Sequence, residues 1–177
     1  MTASLAPVEA GYDNDAALMA RVLRCYRVHC RYLTSMTVTV TGGVIRGRGE
    51  LGICQSCYID DTGHLNAVEA NIAYNQMLYY VIAKAVKERL GPIFSTWTME
   101  DYWRRQLPDI LITRLTSTFG NPVNPRQFYG EVELTRAMQR RLRPDAAPLI
   151  RLDTTFRYWD DGRGQSSGAV RVAIIGS

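Results

Sequence analysis

The sequence predicts an α+β fold in which an antiparallel sheet of five or six strands curls around one long central helix. Three observations predict it. Residues 63–90, GHLNAVEANIAYNQMLYYVIAKAVKERL, are the longest run without proline or internal glycine. They suffice for a helix of about 35–40 Å at 1.5 Å per residue. The segments on either side alternate apolar and polar residues and are rich in β-branched types, the pattern of half-buried strands. Gly42-Gly43 and Asp160-Asp161-Gly162 are turn dipeptides and tripeptides of the kind that reverse a chain between strands.

Taken in order, residues 1–14 read as a flexible lead-in to a single domain over 15–177. Asp15 is placed to cap a short helix over 15–26, where Leu18, Val22 and Tyr26 recur at helical spacing. Residues 34–41 (TSMTVTVT) alternate as a strand. Residues 44–53 follow as a glycine-interrupted second strand, with continuation to Tyr58 left open. The long helix has a marked start, since Asp60-Asp61-Thr62-Gly63 is turn chemistry and Asn66 with Glu69 has capping-box spacing. Lys84, Lys87 and Arg89 suit its negative dipole end, and Gly91-Pro92 stops it. Residues 93–97 read as a short strand. Residues 98–107 (TMEDYWRRQL) read as an amphipathic helix closed by Pro108. Residues 110–119, 128–136, 149–159 and 169–175 read as strands, with the basic connection Arg140-Arg141-Leu142-Arg143-Pro144 between the second and third of these four.

A sheet wrapped on one long apolar helix is the hot-dog architecture. From Met77 to Val86 the helix is apolar nearly all round, more than one sheet covers, so a homodimer or higher homo-oligomer is expected. The first half is different. His64, Asn66, Glu69, Asn71, Asn75 and Gln76 lie among Leu65, Val68, Ile72 and Tyr74. Polar groups entering a buried setting are costly without partners, so a functional site is expected at this end.

Composition excludes several classes. The chain has 177 residues, 46% hydrophobic and 21% charged, an ordinary balance for one globular domain. No apolar run reaches the length of a membrane span, and the N-terminal residues lack the basic and apolar regions of a signal peptide, so a cytoplasmic protein without a membrane partner is expected. The net charge of +4 is small and scattered, which argues against nucleic acid as a partner. Cys54-Gln-Ser-Cys57 has the CxxC form, but Cys25 and Cys30 are spaced wrongly for the second half of a zinc site. The reading is buried thiols with no metal and no cofactor.

Several motifs then resemble one family. Cys30-Arg-Tyr-Leu33, Tyr58-Ile-x-x-Thr-Gly-His-x-Asn-Ala-Val-Glu69, Asn75-Gln76, Trp97-x-x-x-Asp-Tyr102 and residues 121–127 (NPVNPRQ) are similar to the FcoT-type hot-dog thioesterases. The resemblance covers roughly residues 20–175. It implies one of two activities. The first is conjugate addition of glycine to the β-carbon of a 2-enoyl thioester on an acyl carrier protein, sometimes followed by thioester hydrolysis, in secondary-metabolite pathways. The second is hydrolysis of fatty acyl-CoA or acyl-carrier thioesters. Tyr26, Tyr58, Asn66 and Asn75 match the family's proposed site positions.

Both reactions put negative charge on a thioester oxygen. Amides at the start of a buried helix are fixed donors for it, and Gly63 would let the thioester approach the backbone. An attacking glycine must lose a proton, and His64 and Glu69 are the candidate bases. Tyr58 is placed to share a proton at Cα, while Asn66, Asn75 and Gln76 are placed to orient the reacting groups. Glycine's carboxylate calls for a guanidinium, with Arg31 the first choice and Arg157 the second. Plainer roles stand beside these: Asn66 and Glu69 as a helix cap, His64 as a structural histidine, Tyr58 as interface packing. A non-catalytic acyl-binding protein is the remaining alternative.

Overall fold

The computed structural model describes residues 10–141 and 148–176. Seven strands form one antiparallel sheet: β1 (Ala10–Tyr12), β2 (Leu33–Thr41), β3 (Val44–Leu51), β4 (Ile110–Asn121), β5 (Phe128–Arg140), β6 (Leu149–Trp159) and β7 (Gln165–Ile174). Their order is β1-β2-β3-β5-β6-β7-β4. The extra strand, β1, lies in what the sequence reads as lead-in. Its three residues pair with Val38–Val40 of β2, a contact too short to leave a periodic signature. Residues 1–9 and the part of the basic connection beyond Arg141 lie outside the described residues.

The helices are α1 (Ala16–Val22), α2 (Ala67–Lys87), α3 (Gly91–Phe94) and α4 (Met99–Arg105). Asp15 caps α1 through Leu18 N at 3.0 Å and ion-pairs with Lys87. Residues 93–97 do not form a strand. Pro92 sits in the first turn of α3, where its fixed φ favours a helix, so the dipeptide that stops α2 also starts the next turn.

α2 lies across one face of the sheet. Residues 150, 152, 154, 156 and 158 of β6 point towards it and are buried, and the alternate residues face outward. From Gln76 to Val86 every α2 residue is buried, as the apolar run predicts. Close seating depends on two glycines. A Cβ at Gly47 would lie 2.4 Å from Val81 Cγ2, and one at Gly130 would lie 2.6 Å from Met77 Sδ. Polar ties fix the helix along its length. Tyr158 Oη donates to Ala70 O at 2.8 Å, and Tyr74 Oη shares a 2.7 Å bond with Thr154 Oγ1.

Two features leave apolar surface open. The edge strand β4 exposes Leu111, Leu115 and Phe119. On α2, Val68, Ile72 and Asn75, at i, i+4 and i+7, make one incompletely covered stripe. No helix among the described residues is long and apolar enough to cross a membrane.

Candidate active site

Residues 52–66 leave the sheet after β3 and return as the start of α2. This segment is strapped by the 121–127 loop, which accepts two main-chain bonds from it: Ile53 N to Pro125 O at 2.8 Å and Leu65 N to Val123 O at 2.9 Å. The loop is anchored in turn by Asp160 Oδ2, which accepts from Asn124 N at 2.8 Å, while Asp160 Oδ1 accepts from Gly162 N and Gly164 N. These bonds, that from Asn124 first, hold the Asp160 carboxyl below the usual carboxylate range.

On this platform stands a chain of three side chains. Asn66 is the N-cap of α2, and its Oδ1 accepts from Val68 N and Glu69 N, both at 3.1 Å. The same oxygen accepts from Tyr58 Oη at 3.0 Å. Asn66 Nδ2 donates to Glu69 Oε2 at 2.8 Å. Glu69 is only 3% exposed, and its Oε1 is buried without a hydrogen-bond partner. The reciprocal capping box therefore does not form. Glu69 takes the cap's side-chain amide and leaves one carboxylate oxygen available. Tyr32, whose buried hydroxyl is also unpartnered, stands close to Glu69 and Cys57, and burial above all pushes that hydroxyl's pKa up.

Glu69 borders a cavity of about 270 Å³ whose walls include Ile53, Ser56, Asp61, Pro125 and Arg126. Ser56 Oγ is buried without a partner as well. Arg126 donates to Ile53 O at 3.4 Å, to Cys54 O, and to Asp61 Oδ2. Sequence reasoning quoted the NPVNPRQ segment but gave Arg126 no role. Its membership of that motif, in a proline-framed loop, was the available signal.

The other expected residues fall in different places. Gly63 and His64 precede α2 and face solvent, so the helix begins at Ala67 and not at Gly63. Gly63 adopts φ +72°, and its N–H is taken by Asp61 Oδ1 at 2.8 Å, so it serves the turn and offers no amide to a substrate. With Leu65 N also engaged, the amides free of an acceptor among the described residues are those of His64, Asn66 and Ala67. His64 Nδ1 lies 2.9 Å from Thr62 O, and no hydrogen bond links the ring to Asn66 or Glu69.

Gln76 is fully buried and wholly engaged. Its Oε1 accepts from Tyr32 N and Leu33 N at 2.8 and 3.0 Å, and its Nε2 donates to Cys30 O at 2.6 Å. It locks the 30–33 segment in place and has no free donor or acceptor to orient a substrate. Arg31 is exposed and donates through Nε to Tyr26 O at 3.1 Å. Arg157 is on the outward face of β6, paired with both oxygens of Glu131 at 2.9 and 3.1 Å and stacked over Trp159. The sheet itself separates it from Glu69. Asn75 lies on the open stripe with its amide unpartnered among the described residues. Tyr26 is half-buried beside Tyr79, one turn further along, and burial pushes its hydroxyl pKa up. The structure thus groups Tyr58, Asn66 and Glu69 at one end of the stripe, with Asn75 and Tyr26 further along it. All four cysteines are free thiols.

The FcoT-like thioesterase domain, as a sequence family, matches residues 21–174. A relative from Streptomyces coeruleorubidus, named (2E)-enoyl-ACP glycyltransferase, is 53% identical over 162 residues, covering 92% of this chain and 98% of the relative. A Mycobacterium marinum protein of the same name is 33% identical over 161 residues, covering 89% of this chain and 85% of its own. Among solved structures, a protein from Shewanella oneidensis aligns with a TM-score of 0.52 at 8% identity, over 91% of this chain and 99% of that one, a likeness of fold alone.

Proposed function

Because the chain belongs to the FcoT-like thioesterase family, we propose that it is a cytoplasmic (2E)-enoyl-ACP glycyltransferase. It adds glycine to the β-carbon of a 2-enoyl chain carried as a thioester on an acyl carrier protein, giving a 3-(carboxymethylamino)acyl thioester. The observation that carries this reading is Glu69: a buried carboxylate wired to Asn66 and Tyr58, with one oxygen unpartnered beside a cavity.

The chemistry follows from that placement. Glycine arrives as an ammonium and cannot attack until it loses a proton. Glu69 Oε1 takes that proton, and Asn66 Nδ2 steadies Oε2 as it does so. The freed amine attacks the β-carbon, and the π electrons move onto the thioester oxygen as an enolate. The unengaged amides at the start of α2, Asn66 N and Ala67 N, stand at the positive end of the helix and are the donors for that oxygen. The proton held by Glu69 returns to Cα, with Tyr58 in reach of the relay through Asn66. The product is a secondary ammonium and the step is neutral in protons. The acyl chain lies along the open stripe of α2, where Asn75 orients it and Tyr26 bounds it.

A second copy of the chain completes this channel. The exposed apolar edge of β4 and the uncovered stripe of α2 are the surfaces a homodimer would bury. Intact mass spectrometry of an enoyl-carrier protein incubated with enzyme, with and without isotopically labelled glycine, tests the assignment. A carrier-bound adduct bearing the label is expected. Free acid alone would identify a hydrolase, and an unchanged carrier would identify an inert acyl binder. The enoyl-CoA counterpart in parallel decides between the two carriers.

A further inference from the structure

We infer that the cavity beside Glu69 is a pocket for a free amino acid, and that Arg126 is the residue that holds its carboxylate. This rests on the glycine-adding reading above and assigns the position of the second substrate. Three observations carry it. First, among the cavity's walls Arg126 is the one cation, and it shares the space with Glu69 Oε1, the atom that must meet the amine. Second, the guanidinium is only partly committed. Nη1 donates to the carbonyls of Ile53 and Cys54 and Nη2 makes one bond to Asp61, leaving the Nε–H and one Nη2–H without an acceptor among the described residues. Those two donors lie side by side on the planar group and match the two oxygens of a carboxylate. Third, the lining carries Asp60, Asp61 and Glu69 against one arginine. That surplus of carboxylates attracts an ammonium and repels a fatty chain, so the pocket suits a small zwitterion. The acyl chain is left to the apolar stripe of α2.

The existing bonds of Arg126 support the same role. The carbonyl contacts and the Asp61 pair keep the guanidinium fixed before the amino acid arrives, so little side-chain freedom is lost on binding. Asp61 is itself held ionised, first by Gly63 N and then by Arg126, which lowers its pKa. Arg31 and Arg157, the guanidinium choices made from sequence, have no access to this space.

The test compares glycine with glycinamide, which carries the amine but no carboxylate, as acceptors of the same enoyl-carrier substrate. The wild-type enzyme is expected to prefer glycine. In Arg126→Gln that preference falls by roughly 10- to 100-fold, chiefly through the KM for glycine, as expected for losing a charge-assisted pair. Arg126→Lys keeps the charge without the fork and falls in between. Thermal melting of both variants reports whether the loop that Arg126 holds stays folded. An unchanged preference in folded Arg126→Gln or Arg126→Lys overturns the inference. So does an equal loss with both amines, which would make Arg126 a loop latch only. If the wild type forms no adduct with either amine, the glycyltransferase reading itself fails, a result distinct from both.

Discussion

Replacing Asn66 separates the helix cap from the chemistry, because the two roles use different atoms. Oδ1 caps Val68 N and Glu69 N, and Nδ2 holds Glu69 Oε2 at 2.8 Å. Asn66→Ala removes both. Losing the cap costs about 1 kcal/mol, which for a domain of this size lowers the melting temperature by about 2–4 °C. Asn66→Asp keeps a good cap but turns the donor into an acceptor facing a carboxylate. Two unit charges about 4 Å apart repel by roughly 4 kcal/mol at an effective dielectric constant of 20. The pair relieves that repulsion by holding a proton at neutral pH, so Glu69 can no longer accept one from the ammonium. Loss of a general base costs about 10²- to 10⁴-fold. The expected order of rates is therefore wild type, then Asn66→Ala, then Asn66→Asp, although aspartate is the better cap. Initial rates of adduct formation read by intact mass, beside thermal melting curves, check it. Rates that simply follow the melting temperatures, with Asn66→Asp faster than Asn66→Ala, would refute the wiring of Asn66 to Glu69.

The remaining expectations follow from the same geometry. Glu69→Gln keeps the shape and the Asn66 contact but lowers the turnover number by about 10²- to 10⁴-fold, measured at saturating glycine. Asp160→Asn weakens the three backbone contacts by about 1–2 kcal/mol. Since the folded-state pKa of Asp160 is depressed, the wild-type advantage is full above the ordinary aspartate value of about 3.9 and is lost as pH falls through the lower folded value. Melting curves of the two proteins from pH 7 to pH 3 should converge at the acid end. Gln76→Leu leaves Tyr32 N, Leu33 N and Cys30 O buried without partners and costs roughly 3 kcal/mol or more, seen as a lower denaturant midpoint. Gly47→Ala drives a methyl into Val81 and Met36 and costs about 1–3 kcal/mol by overpacking, again read from denaturation.

Much of the fold was legible because it is encoded locally. The α2 run, the Asp15 and Asn66 caps, and the turn glycines at 42 and 43, both at positive φ, rest on neighbours within a few residues. β1 was not legible, since three residues carry no period. Nor was α3, because a short apolar stretch after Gly-Pro reads equally well as strand or helix. At the site, the Tyr58, Asn66 and Glu69 grouping came through since all three lie within twelve positions of one another. The arginines did not. Whether Arg157 faces the helix or the outside is a matter of strand parity, and the partner Glu131 that claims it sits on a different strand. Gln76 looked like a polar group waiting for a substrate, whereas its three partners lie 43 to 46 positions away.

The strap between the 121–127 loop and the 52–66 segment is made of main-chain atoms: two carbonyls, at Val123 and Pro125, receive two amides, at Leu65 and Ile53. Such a seam reads spacing and ignores spelling. One apolar letter can replace another at 53 or 65 and the amides still meet their carbonyls, but inserting or deleting a residue in either loop shifts every bond out of step. Library design in this region is therefore best done at constant loop length, with diversity confined to side chains.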